Sequence, residues 1–180
     1  MSATLAAVLC VLAHRGTHAP AEARETIAHA FLSAEGGAAP LDLLLTVGYV
    51  ESRWSPTGSR TDRDHGVFGV MQLSRPDLVC RDRRGRPDER RCSPAQREAR
   101  ERVLDVATNV RIGAGLLRTL WGRFRGNPDW FGAYYVGSVP AGPSEAFAGY
   151  VRRVRAWRGV IRGWLRECGR LTRATSSVRM

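Results

Sequence analysis

Lysine is missing altogether: all 28 basic residues of the 180-residue chain are arginine, and the formal net charge is +11. The missing lysine by itself points to no mechanism, but the charge bears on partners. A strongly basic protein accumulates on polyanions, so nucleic acid, anionic lipid and an acidic cell wall all qualify. No apolar run approaches the roughly 20 residues that a bilayer-spanning helix needs. Cysteine is scarce and unclustered. None of Cys10, Cys80, Cys92 and Cys168 forms a C-x-x-C pair, and no histidine stands at zinc-ligand spacing, so neither a metal nor another cofactor is indicated. Period-two alternation is also rare, and there is no internal repeat.

What is present is enough apolar sequence for one globular domain: 43% of the residues are hydrophobic. Residues 1–20 open with "MSATLAAVLCVLAHR", read either as a first helix joining the core or as an atypical signal or anchor. The basic opening of a usual secretion signal is lacking, and Leu9 before Cys10 is a poor lipoprotein cleavage context. Cys80 and Cys92 bracket the polar stretch "RDRRGRPDERR". A disulfide there would stabilise the loop by about 3 kcal/mol in the chain-entropy account and would fit an oxidising compartment. Two free thiols are the alternative that the spacing leaves open.

Helical periodicity dominates the rest. After Pro20, Ile27, Ala30, Phe31 and Ala34 share one face of an amphipathic helix that Gly36-Gly37 ends. Pro40 opens a second helix reaching about Trp54, with Leu44, Val47, Gly48 and Glu51 on one face. Residues 55–70 read as loop, followed by a short irregular sheet or turn. Ser93-Pro94-Ala95-Gln96 is a helix start, with a break expected near Thr108-Asn109. The segment after it places Val110, Gly113, Leu117, Leu120 and Phe124 inward. "DWFGAYYVGS" reads as a brief helix. Ser144 caps a last helix with Tyr150, Val151, Val154, Trp157 and Ile161 on one side and arginines on the other. The chain is thus expected to be mainly α, with one domain over 21–170 and a polar tail over 171–180.

Glu51 is the anomaly. A carboxylate on an apolar helix face costs stability unless it is paired, exposed or useful. Desolvation disfavours its charged form and raises its pKa, which suits a general acid near neutrality.

Five short motifs follow one another around it: Glu51-Ser52-Arg53-Trp54-Ser55-Pro56, then Gly66 to Leu73 with Met71-Gln72, Asn109 to Gly113, Ala133-Tyr134-Tyr135-Val136-Gly137, and Tyr150-Val151 with Val154. Their order and content resemble the soluble lytic transglycosylases and their relatives, the goose-type lysozymes, over about residues 40–157. The resemblance implies a lysozyme-like fold with a cleft for peptidoglycan glycan strands, in the periplasm or outside the cell. It implies Glu51 as the catalytic acid and base that cleaves the bond between N-acetylmuramic acid and N-acetylglucosamine and forms a 1,6-anhydro ring. It places Tyr134 beside the glutamate, lines the cleft with Gln72 and Met71, and offers Ser59 as a substrate contact. Tyr135 departs from the family's Ala-Tyr-Asn pattern, and a phenol there would narrow the cleft or repack its wall. The loop after Ser59 is longer than in the family and carries Asp62 and Asp64. Goose-type lysozymes place a water-positioning aspartate in this loop, which makes Asp64 a possible second carboxylate and hydrolysis an alternative outcome. Two other classes remain: a non-catalytic wall-binding module, and a membrane or nucleic-acid binder using the arginine-rich last helix. Nothing resembles a base-reading motif, and that helix's apolar side falls where the family packs a core helix, so specific nucleic-acid binding is not expected and membrane contact is disfavoured.

Overall fold

The computed structural model of the chain describes residues 2–14, 16–142 and 144–177. It is mainly helical. In chain order the helices are α1 (Ala3–Leu12), α2 (Arg24–Ala34), α3 (Leu41–Ser52), α4 (Arg60–Asp64), α5 (Pro94–Leu104), α6 (Val106–Phe124), α7 (Ala133–Val136) and α8 (Glu145–Ser177). One small antiparallel hairpin, β1 (Val67–Phe68) and β2 (Leu73–Ser74), pairs Val67 with Ser74 and Phe68 with Leu73. Among the described residues no helix is long and apolar enough to cross a membrane.

The core forms where the apolar faces of the helices meet. α2 contributes Ile27, Ala28 and Phe31, α3 Leu43, Leu44 and Val47, and α6 Val110, Ala114 and Leu117. α8 closes the bundle with Tyr150, Val154 and Ile161. α1 packs on α8 and buries Val8, Val11 and Leu12, and the Cys10–Cys168 disulfide joins the two helices. A second disulfide, Cys80–Cys92, closes the arginine-rich loop. An ion-pair clamp holds α3 on α8. Arg158 Nε and Arg162 Nε donate to Asp42 Oδ2 at 2.7 and 2.5 Å. Burial raises the Asp42 pKa, but the hydrogen bonds and charges of the two arginines outweigh it and hold the carboxyl below its ordinary value.

Three boundaries differ from expectation, each for a local reason. The α5/α6 break falls at Asp105, whose side chain accepts the Thr108 N–H at 2.8 Å and so starts α6 earlier. The stretch expected to be loop contains α4, started by a reciprocal capping box between Ser59 and Asp62. The expected tail is helical through residue 177, since nothing in its sequence stops α8; residues 178–180 lie outside the described residues.

The hairpin is held by one buried side chain. Asn109 Oδ1 accepts the Met71 N–H at 2.8 Å, and its Nδ2 donates to the carbonyls of Phe68 and Val103, both at 2.9 Å. Gly69 sits against this amide with φ +74, where a Cβ would collide with it. Asn109→Ala leaves two carbonyls and an N–H unpaired in the core. The expected loss is at least about 3 kcal/mol in denaturant unfolding, from 1–3 kcal/mol for each orphaned group; a loss under about 1 kcal/mol would show that the hairpin does not depend on this amide.

Candidate functional site

Glu51 lies in the last turn of α3, where the helix ends abruptly. Arg53 and Trp54 both take the left-handed region, φ +52 and +62. Such conformations are strained for side chains of this size and persist only when the surroundings hold them. Here the hold is visible. Trp54 is fully buried, with its Nε1 donating to the Leu45 carbonyl at 2.8 Å. The Arg53 N–H closes back onto Gly48 and Tyr49, and its carbonyl accepts the His18 N–H at 2.8 Å. Ser52 Oγ donates to the Val70 carbonyl at 2.8 Å and ties the end of the helix to the hairpin. Among the described residues the third non-glycine residue with positive φ is Gln72, at +49; its Nε2 donates to the Gly69 carbonyl at 2.8 Å.

Two of these strained residues, Arg53 and Gln72, line a groove centred on Glu51, with buried Trp54 behind it. One arm, of about 460 Å³, is lined by His18, Ser52, Arg53, Asp62, Arg153 and Trp157. The other, of about 470 Å³, is lined by Gln72, Arg75, Ile112, Leu116, Tyr134 and Tyr135. Glu51 lines both arms.

The Glu51 carboxyl is largely buried and accepts the Tyr150 hydroxyl proton on Oε1 at 2.5 Å. Burial pushes its pKa up from 4.5 to about 7. The Tyr150 hydrogen bond and the Arg153 charge pull it down, while the Asp62 charge adds to the rise. Burial and the neighbouring Glu51 charge push the Tyr150 phenol well above its ordinary value, so it remains a donor. Tyr135 stacks on the Tyr150 ring with centroids 5.2 Å apart and planes 10° apart. The Arg153 guanidinium lies 5.7 Å from the Tyr150 ring centroid and 6.0 Å from that of Tyr135.

The expected site residues separate as follows. Glu51, Gln72, Tyr134 and Tyr135 line the groove, and Ser59 lines its first arm. Tyr134 is close enough to feel the Glu51 charge, but its hydroxyl donates to the Met71 carbonyl at 2.8 Å; the donor to Glu51 is Tyr150. Met71 does not line the cleft. Its side chain is fully buried and packs against Gly113, because the hairpin turns it inward. Tyr135 lines the second arm, 57% exposed, with its ring over that of Tyr150. Asp64 lines neither arm, whereas Asp62, two residues earlier in α4, lines the first. Cys80 and Cys92 are bonded to each other, away from the groove. Among the described residues no group of three or more His, Cys, Asp or Glu is placed to hold a metal ion. Sequence reasoning missed Tyr150 as the partner of Glu51, although helix periodicity had placed it on the buried face of α8. It also missed Arg153, which reads as one more solvated arginine until the groove is seen.

No family model, curated protein or solved structure matches the chain.

A carboxyl whose folded-state pKa is raised binds its proton more tightly in the folded than in the unfolded chain. Its contribution to stability is full below about 4.5 and is lost as pH rises through about 7. Glu51→Gln keeps the shape and the acceptor for Tyr150 but cannot ionise. It is expected to be more stable than the wild type at pH 8 by about 1–3 kcal/mol, and equal to it near pH 4. A wild type as stable as the variant at pH 8 would contradict the burial of this charge.

Proposed function

We propose that the chain is a peptidoglycan-cleaving enzyme of lysozyme-like fold, a lytic transglycosylase acting on the β-1,4 bond between N-acetylmuramic acid and N-acetylglucosamine. The observation that carries this reading is the position of Glu51: a largely buried carboxyl with a pKa raised to about 7, at the junction of two open groove arms. A polymer lying along both arms would pass its backbone over that carboxyl.

The chemistry uses one carboxyl twice. Protonated Glu51 gives its proton to the glycosidic oxygen as the bond from C1 breaks, and the acetylglucosamine leaves with a new 4-hydroxyl. The carboxylate then removes the proton from the C6 hydroxyl of the muramic acid. That oxygen bonds to C1, the 1,6-anhydro ring closes, and Glu51 is protonated again with no water consumed. This departs from the two-carboxylate pattern, since the substrate's own acetamido group stabilises the cation. Tyr150 holds the carboxyl in place throughout, and its hydroxyl together with Arg153 stabilises the negative charge that appears after the first proton transfer. The two disulfides fit an oxidising location in the cell envelope. The basic surface would keep the enzyme on an anionic wall.

A specific observation favours one second reading. Asp62 lines the Glu51 groove, and a carboxylate there suits positioning of a water, which would make the enzyme a hydrolase. Digestion of purified sacculi followed by mass spectrometry separates the two. The expected products end in 1,6-anhydromuramic acid, lighter by one water than reducing ends. Glu51→Gln should lower release by at least about a hundredfold, and kcat/KM of the wild type should fall as pH rises through about 7. Reducing ends would assign hydrolysis and move attention to Asp62. No release by the wild type would overturn both readings.

A further inference from the structure

The two arms of the groove differ in charge. In the second arm the cation, Arg75, is neutralised: its Nε and one terminal nitrogen donate to both oxygens of Asp77 at 2.8 and 2.6 Å. Apart from Glu51, Gln72 and Ser74, the rest of its wall is apolar and aromatic, including Leu73, Ile112, Leu116, Tyr134 and Tyr135. Ile112 and Leu116 are exposed at 42% and 40%, a surface suited to the apolar faces of sugar rings.

The first arm holds two guanidiniums, Arg53 and Arg153. Neither has an ion-pair partner among the described residues. Its charged or ionisable neighbours are His18, Glu51 and Asp62. Asp62 is already engaged, its Oδ2 accepting the Ser59 N–H at 3.0 Å, and Glu51 shares its oxygen with Tyr150. The backbone of Arg53 is fixed, and Arg153 is placed over two rings. Arg53 stands on the strained left-handed turn fixed by buried Trp54 and by the His18 N–H, and Arg153 lies over the Tyr135–Tyr150 stack. A non-glycine residue kept at positive φ and lining a cavity is where strain points to function. Guanidinium is the group that best matches a carboxylate.

We propose that Arg53 and Arg153 form a carboxylate-binding subsite for the acidic peptide that substitutes the glycan, so that the first arm takes the peptide-bearing muramic acid and the second arm takes the N-acetylglucosamine across the scissile bond. The identity of this ligand rests on the glycan-cleaving reading above; the anion chemistry of the arm does not. On this arrangement the enzyme distinguishes strands by the free carboxylates of their stem peptides, and amidation of those carboxylates weakens binding.

The test measures binding apart from turnover. Glu51→Gln protein is titrated by calorimetry with a disaccharide tetrapeptide carrying free carboxylates on its D-glutamate and terminal D-alanine, and with the same compound fully amidated. The free-carboxylate form is expected to bind at least about tenfold more tightly, since a charged hydrogen bond contributes about 1.5–3 kcal/mol. Added salt should narrow the gap. Arg53→Asn with Arg153→Gln in the same background should reduce the free form to the affinity of the amidated one; asparagine at 53 tolerates the left-handed backbone. Near-UV circular dichroism checks the fold, and the salt dependence of the parent protein tests the proposal even where the double variant fails to fold. Equal affinity for the two forms would overturn the subsite and leave the glycan reading standing. Competition by inorganic phosphate at the concentration of the muropeptide would overturn peptide recognition. Arginine-dependent binding of the free tetrapeptide, together with sacculi that are not cleaved, would keep the subsite and sink the glycan reading. Binding of neither disaccharide form would overturn both.

Discussion

The Glu51 carboxyl is kept largely out of water at the end of an apolar helix, and much of the architecture follows from having to hold it there. A desolvated carboxyl is tolerated only if it is protonated or firmly hydrogen-bonded. Tyr150 supplies the hydrogen bond from a helix 99 residues away in sequence, at 2.5 Å. That contact needs α8 to lie against α3 in one register, which Asp42 fixes by binding Arg158 and Arg162, about two and three turns further along α8. The Cys10–Cys168 bond ties α8 in turn to α1. The scaffold therefore constrains the position of one oxygen through ion pairs, packing and a covalent cross-link.

Around that oxygen the backbone is bent to keep the groove open. Arg53, Trp54 and Gln72 take up conformations that an unconstrained chain avoids, and each is over-determined by its neighbours. Asn109 does the same for the hairpin, replacing what a longer sheet would supply with a single amide bonded three ways. A strained groove costs stability, and the packing of α1 and α3 on α8 and of α2 on α6 offsets that cost. This is the expected division between a site that must hold a charge out of water and a core that need not.

Much of this was legible from residue order. The buried faces of α2, α3, α6 and α8 follow from apolar spacing, and Glu51 stands out because it interrupts one of those faces. The Ser93–Gln96 start of α5 was readable from its pattern, and the Ser59–Asp62 start of α4 had the same kind of signal, hidden in a stretch that looked like loop. What could not be read depends on tertiary geometry. Cys10 and Cys168 carry no spacing signal, since only the packing of α1 on α8 brings them together. Tyr134 and Tyr150 are both tyrosines near the glutamate. Which one donates to it is set by the Met71 carbonyl, which takes the Tyr134 hydroxyl. Met71 itself turns inward because the hairpin pleat and Gly113 leave it room there. For Tyr135 the sequence gives its bulk but not its direction: the ring lies flat on Tyr150 and lines the second arm.

Burial, tempered by Tyr150, sets the Glu51 carboxyl to titrate near neutrality. Carbon-13 NMR of the side-chain carboxyl in glutamate-labelled protein, compared with Glu51→Gln for assignment, reads this directly. The expected midpoint is about 7, moving higher in Tyr150→Phe, where the donor that favours the carboxylate is lost. A midpoint near 4.5, or one that falls when the tyrosine hydroxyl is removed, would contradict it.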